Sequence, residues 1–135
     1  MKIAISSAGR GLDSQMSGIF GRCPYFVIVE IENKKIKSVM SIANRAVTRA
    51  GGAGIMAAQT VANQNVKAVI SGAVGPRAFD VLRQIGIEIY HGVAGTVEDN
   101  VKGFMSGKLA KITLPGAMGF GGRGMGRGLG RGRRF

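Results

Sequence analysis

The sequence predicts one α/β domain with a mixed sheet, and two observations carry this prediction. Short runs rich in β-branched and aromatic residues occur at 2–7, 25–31 and 36–43, and glycine-rich or polar stretches separate them. From about residue 54, apolar residues recur at helical spacing, and these helical stretches alternate with short apolar runs. A chain of 135 residues with 45% hydrophobic content has room for a single ordinary core.

Three strands are predicted in the first part of the chain. Residues 2–7 read as a buried strand that stops at the glycine-rich stretch 8–11. Residues 25–31 form a strong strand, the polar stretch 32–35 a turn, and residues 36–43 a returning strand. The last two strands therefore make a β-hairpin.

Helices and strands alternate in the second part. The pattern predicts a helix over 54–65, a strand over 67–71, a helix that Pro76 opens and Gly86 ends, and a strand over 88–91. A third helix begins at 95–99, with Thr96 as N-cap and Asp99 three residues later, and it ends at Gly107.

The predicted order is β-β-β-α-β-α-β-α, a mixed five-stranded sheet with helices on its faces. Right-handed crossovers give a three-layer α/β sandwich, and the order is compatible with a ribonuclease H-like arrangement. Ligands of open α/β sheets collect at the carboxyl ends of parallel strands. The loop after the first strand and the turns at 71–77 and 91–95 are expected at that edge.

Residues 116–135 differ sharply in composition from the rest. They contain nine glycines and five arginines and no acidic residue. Fixing so many glycines costs too much conformational entropy, so we predict a disordered tail and a domain boundary at Pro115. The domain, residues 1–115, keeps fourteen basic residues against seven acidic ones and is itself basic.

Composition limits the classes of partner that the protein is expected to bind and its expected location in the cell. A basic body is typical of a protein whose partner is an anion, a nucleic acid or an acidic protein surface. No stretch reaches the ~20 apolar residues that a membrane span needs, and the N-terminal apolar run is too short for a signal peptide. One cysteine cannot form an internal disulfide. These features predict a cytoplasmic protein.

The sequence lacks the residue patterns of three common kinds of catalytic or nucleotide-binding site. A nuclease needs clustered carboxylates for metal, starting on the first strand, but that strand offers Ile3, Ala4 and Ile5. One cysteine and one histidine cannot complete a zinc site in a monomer, and no Walker-type phosphate loop is present. We therefore predict a binding protein without catalytic residues.

Three glycine-rich turns, at 18–24, 49–54 and 71–77, predict a binding rim. Each carries one arginine, and glycine lets backbone N–H groups reach a ligand without obstruction. Two of the turns open helices, whose N-termini favour anions. The alternative is that the glycines serve turn geometry alone, with Arg77 facing solvent. The candidate residues of the rim are Arg22, Arg49, Gly52, Gly54, Gly72, Gly75 and Arg77.

Cys23 and His91 are the candidate metal ligands. Arg22 would favour a thiolate at Cys23, which could bind a soft metal; the alternative is a small buried hydrophobe. His91, at a strand end, is either a structural histidine, a second ligand or a proton-sensitive gate.

Four ordered motifs resemble those of the dinitrogenase iron–molybdenum cofactor biosynthesis family, which includes NifX-like proteins and the C-terminal domain of NifB-like proteins. The motifs are Phe-Gly-Arg-Cys-Pro-Tyr-Phe at 20–26, Gly-Ala-Gly-Ile-Met-Ala-Ala-Gln at 52–59, Val-Ile-Ser-Gly-Ala-Val-Gly-Pro-Arg-Ala-Phe at 69–79 and Gly-Thr-Val-Glu-Asp-Asn-Val at 95–101. The resemblance spans roughly residues 1–110 and implies a ribonuclease H-like fold. It also implies non-enzymatic binding or carriage of a metal–sulfur cluster, such as the iron–molybdenum cofactor, its precursor or a related iron–sulfur or molybdenum–sulfur cluster. Proteins that donate or accept the cluster are the implied partners.

Two positions depart from the family pattern. The family often has histidine where this chain has Ile19 and Gly51. Both histidines could ligate metal, so this chain either holds its cluster through Cys23, arginines and backbone or takes a different ligand.

The tail supports a rival function. Arg123, Arg127 and Arg131 recur every four residues between glycines, as in segments that bind RNA or single strands. A nucleic-acid adaptor is therefore the alternative, although the tail has only two aromatic residues. A solubilising tail, a grip on an acidic partner, or a soft-metal role for Met118 and Met125 are the other interpretations.

Overall fold

Six strands form one sheet in the computed structural model, which describes residues 1–48 and 51–113. The spatial order is β3-β2-β1-β4-β5-β6. The strands are β1 Lys2–Ser7, β2 Tyr25–Glu32, β3 Lys35–Ala43, β4 Ala68–Ser71, β5 Glu88–His91 and β6 Ala110–Lys111.

The hairpin and the parallel strands meet at β1. This strand pairs antiparallel with β2 and parallel with β4, and β5 continues the parallel set. The hairpin turns at Asn33 and Lys34, both at positive φ as a tight two-residue turn requires. The mixed α/β sheet is thus confirmed.

The predicted count of five strands is wrong. A sixth strand, β6, pairs antiparallel with Tyr90 and His91 of β5. Two residues are too short to give a periodicity signal, so only the pairing partner makes this segment a strand. The predicted element order also lacks two short 3₁₀ helices, at Phe20–Arg22 and Arg45–Thr48.

Three α-helices of the described part of the chain sandwich the sheet. They are α1 Ala53–Ala62, α2 Pro76–Gln84 and α3 Val97–Met105. Successive strand residues point to opposite faces, so Ala4 packs with α1 and α2 while Ile3 and Ile5 pack with Val97 and Val101 of α3. The core therefore has two halves, one on each side of the sheet.

Several predictions fall on residues outside the described ranges. These are the boundary at Pro115, the tail at 116–135 and Arg49. Within the described residues, no helix combines the length and apolar character that crossing a bilayer requires.

Candidate functional site

The N-termini of α1 and α2 lie side by side and form an open groove of about 280 Å³. Four of the residues predicted from the glycine turns line it: Gly52, Gly54, Gly75 and Arg77. The other lining residues are Ala53, Ile55, Pro76 and Ala78. Arg77 is therefore the one charged residue among those that line the groove.

Local sequence explains why two helices begin here without side-chain caps. Gly52 adopts φ +73°, which favours glycine, and Gly75 is extended before Pro76 in the first turn of α2. The first helical bonds run from the Met56 N–H to the Gly52 oxygen and from the Phe79 N–H to the Gly75 oxygen. The N–H groups before these bonds have no intrahelical acceptor, neither N-cap supplies a side-chain oxygen, and neither first turn contains an acid. Both helix ends are thus suited to an anion.

The N-terminus of the third helix, in contrast, is capped by side chains. In α3 the Thr96 hydroxyl accepts from the Asp99 N–H at 3.1 Å, and the Asp99 carboxylate accepts from the Thr96 N–H at 3.0 Å. This capping box was predicted from the sequence. The bond from the Thr96 N–H lowers the pKa of Asp99. Side chains of the protein therefore accept hydrogen bonds at the N-terminus of α3, in contrast to α1 and α2.

Close backbone approach accounts for part of the glycine content. A Cβ at Gly21 would lie 3.2 Å from the Gly54 N and Cα atoms, which places the first 3₁₀ helix against the start of α1. A Cβ at Gly72 would lie 2.5 Å from the backbone oxygen of Gly18. Gly72 does not line the groove. The close approach of the Gly18 backbone leaves no room for a side chain at Gly72, which is a packing constraint separate from turn geometry.

The loop after β1 covers the carboxyl edge where the ligand was expected. Its Ser17 N–H donates to the Ser6 oxygen, its Met16 N–H to the Gly95 oxygen and the following Phe20 N–H to the Ala73 oxygen. These bonds carry the backbone across the ends of β1, β4 and β5. The open groove consequently lies beside this edge, at the helix N-termini.

Arg22 lies next to the groove and does not line it. Its side chain is exposed, and its Nη1 atom donates to the Val47 oxygen at 3.3 Å. The preceding residue, Gly21, contacts the start of α1. Its predicted role in holding a ligand stays a prediction.

The structure disfavours the thiolate that was expected at Cys23. The side chain is fully buried in the core between the sheet and α1. Its Sγ donates to the Phe20 oxygen at 3.3 Å, and the Asn44 amide donates to Sγ at 3.7 Å. Desolvation outweighs the hydrogen bonds from the Ser7 backbone, the Asn44 amide and the Cys23 backbone, and it raises the pKa of Cys23 to about 12. In this conformation Cys23 packs as a small buried hydrophobe, and its predicted role as a metal ligand stays a prediction.

His91 ends β5 and lies in register with Ser71 of β4. It falls on the same face of the sheet as Ile89, the face that α1 and α2 cover. The Ser6 hydroxyl donates to the Ser71 hydroxyl at 2.9 Å on this face. His91 does not line the groove, and the described residues contain no group of three His, Cys, Asp or Glu side chains positioned to hold a metal ion.

Two buried asparagines that position the loops were not predicted. The Asn44 amide donates to the Cys23 oxygen at 2.8 Å and so holds the turn beside α1. The Asn100 carbonyl accepts from the Val93 N–H at 2.8 Å, and its amide donates to the Thr96 oxygen at 2.9 Å. The role of Asn100 could have been suspected from the sequence, because a polar residue stands there on the apolar side of α3. Asn44 follows the end of β3, where asparagine is common, so nothing in the sequence indicated its role.

Comparison with known proteins is consistent with this architecture. Residues 1–107 match the model of the family described as dinitrogenase iron-molybdenum cofactor. The uncharacterized protein MJ0580 of Methanocaldococcus jannaschii is 37% identical over 113 residues, covering 83% of this chain and 96% of that protein. The apo form of the orange protein from Desulfovibrio gigas has a TM-score of 0.79 at 33% identity, covering 84% of this chain and 94% of that one. A Thermotoga protein provisionally named NifB has a TM-score of 0.71 at 28% identity, covering 91% and 98% respectively. The chain belongs to the dinitrogenase iron-molybdenum cofactor family.

Proposed function

We propose that this protein binds and carries an anionic metal–sulfur cluster in the groove between α1 and α2, without catalysing a reaction. The observation that carries the proposal is the pairing of two uncapped helix N-termini beside Arg77, with no carboxylate among the lining residues. Membership of the family supports a cluster as the anion. The candidate clusters are the iron–molybdenum cofactor, its precursor or a related iron–sulfur or molybdenum–sulfur cluster.

The chemistry of the groove suits such a cargo. Backbone N–H groups of Gly54 and Ala78 can donate to the sulfur atoms of an anion, and each helix dipole adds about 0.3–1 kcal/mol of stabilisation. The Arg77 guanidinium adds a fixed positive charge at the same place. The lining residues include no cysteine or histidine, so hydrogen bonds and charge would hold the cluster instead of bonds to metal.

A carrier also needs proteins that donate and accept the cluster, and the proposal includes them. We place the protein in the cytoplasm as part of the same proposal. The antiparallel hairpin beside the parallel set β1-β4-β5 supports the ribonuclease H-like arrangement that the resemblance implied.

Gly75→Asp is expected to change stability and ligand affinity in opposite directions. Gly75 has N-cap geometry with open space around its Cβ position, so aspartate can accept from the first-turn N–H groups. The cap contributes a few tenths of a kcal/mol, and the loss of glycine from the unfolded chain adds to it, so the free energy of unfolding should rise by about 1 kcal/mol. Its negative charge should weaken the binding of a cluster anion by about tenfold. Urea unfolding and anaerobic binding of tetrathiomolybdate and a synthetic [4Fe–4S] cluster, followed by gel filtration and metal analysis, measure the two effects.

Gly75→Asn is the matched control, because it caps the helix without adding charge. We expect asparagine to stabilise the fold nearly as much and to weaken binding less than aspartate. If wild-type protein elutes without metal, or if aspartate stabilises the fold and leaves metal retention unchanged, the groove is not the cluster site.

A further inference from the structure

We propose that an exposed ridge beside the groove docks a protein partner through an acidic surface with an aliphatic anchor. The ridge consists of Ile19, Arg22 and Val47. The contacts of these three residues support the docking surface, and its use in passing a cluster rests on the proposed function.

Hydrogen bonds hold the three ridge residues together. The Arg22 N–H donates to the Ile19 oxygen at 3.2 Å, and the Arg22 side chain donates to the Val47 oxygen at 3.3 Å. Ile19 also forms a parallel bridge with Ala73, two residues before the groove residue Gly75. The ridge is therefore a defined surface that borders the groove.

The ridge exposes aliphatic side chains. Ile19 is 56% exposed and Val47 is 36% exposed. Arginine is enriched at protein interfaces and the buried centre of an interface is more apolar than its rim, so exposed aliphatic side chains next to arginine suit such a centre.

The sequence stretches that form the ridge carry basic residues and no acidic ones. The sequence has no Asp or Glu at 14–29 or at 33–79, and these ranges contain the ridge and both uncapped helix starts. Glu30, Glu32 and Glu88 lie towards the opposite edge of the sheet, where β1 and β5 begin. A partner that presents carboxylates is complementary to this side of the domain, and its charge would guide the encounter.

The same features disfavour other occupants. Single-stranded nucleic acids bind on exposed aromatic platforms, whereas the nearby Phe20, Phe26 and Phe79 are buried. A second copy of this chain would bring two basic surfaces together, which is unfavourable. An acidic protein surface is therefore the occupant that the ridge favours.

The test uses two synthetic 12-residue acidic peptides on the full-length chain, one carrying two leucines and the other serines at the same positions. Binding is measured by fluorescence anisotropy at 0.15 M salt, with an oligo(dT) strand as a third probe. We expect the leucine peptide to bind more tightly, and Ile19→Ala and Arg22→Glu each to weaken it about tenfold.

Two matched variants control for exposure and charge elsewhere. Ile85 is 51% exposed on α2's far end, and Lys67 is exposed at the opposite edge of the sheet. Ile85→Ala and Lys67→Glu should leave peptide affinity within about twofold, since surface changes away from an interface contribute little. The tail is present in every variant, so its charge contributes equally.

Four outcomes would overturn the proposal: no peptide binding, equal losses in test and control variants, tighter oligo(dT) binding with the same variant pattern, or a dimer that Ile19→Ala dissolves. Cluster retention by Ile19→Ala separates the two proposals, because Ile19 does not line the groove. A wild-type chain that binds the peptide and fails to retain metal would contradict the proposed function and would still support the docking surface.

Discussion

Cys23 is expected to react with iodoacetamide at pH 8 about 1000-fold more slowly in the native protein than in urea. The thiolate is the reacting species, and burial raises the pKa of this thiol from 9.0 to about 12. Each unit of pKa changes the thiolate fraction about tenfold. The rate of alkylation followed by mass spectrometry measures the effect. Rapid labelling of the native chain would mean that Cys23 becomes exposed and can act as a ligand.

The same burial predicts a dependence of stability on alkaline pH. Because the folded pKa lies above the unfolded one, the contribution of Cys23 is fully present below pH 9.0 and is lost as pH rises towards about 12. Cys23→Ala should cost about 1–2 kcal/mol near neutral pH through lost packing, and this difference from wild type should shrink above pH 9. Metal retention should be unchanged in the variant; its loss would restore Cys23 as a ligand.

Gly72→Ala is expected to lower the free energy of unfolding by about 3 kcal/mol. Its Cβ would lie 2.5 Å from the Gly18 oxygen and 2.9 Å from the Gly18 Cα atom, and a backbone neighbour cannot rotate away. Hydrogen bonds at Ser17 and Phe20 hold the loop on both sides of this contact. Urea unfolding with an unchanged slope measures the loss.

Gly18→Ala is the matched control for the same contact. The Cβ position of Gly18 has no heavy atom within 4 Å, so we expect a change within about 0.5 kcal/mol. Equal losses at the two positions would show that loss of glycine flexibility, and not the close approach, determines stability here.

Most elements could be predicted because their patterns are local. The hairpin, the three helices and the capping box of α3 each have a signature within a few residues, and the structure contains all of them. β6 and Asn44 could not be predicted in this way. The strand exists only through its pairing with β5, and the amide acts on Cys23, which is 21 residues away in sequence.

The features of the candidate site also divide into those that the sequence predicts and those that depend on the tertiary structure. The glycine turns and the absence of first-turn acids are properties of the sequence, and by themselves they determined two helix starts suited to an anion. Only the tertiary structure decided that these starts share one groove, that Gly72 serves packing, and that Cys23 is buried. The physical reason is that capping and turn chemistry depend on neighbours in sequence, whereas burial and the meeting of two helix ends depend on how distant segments pack.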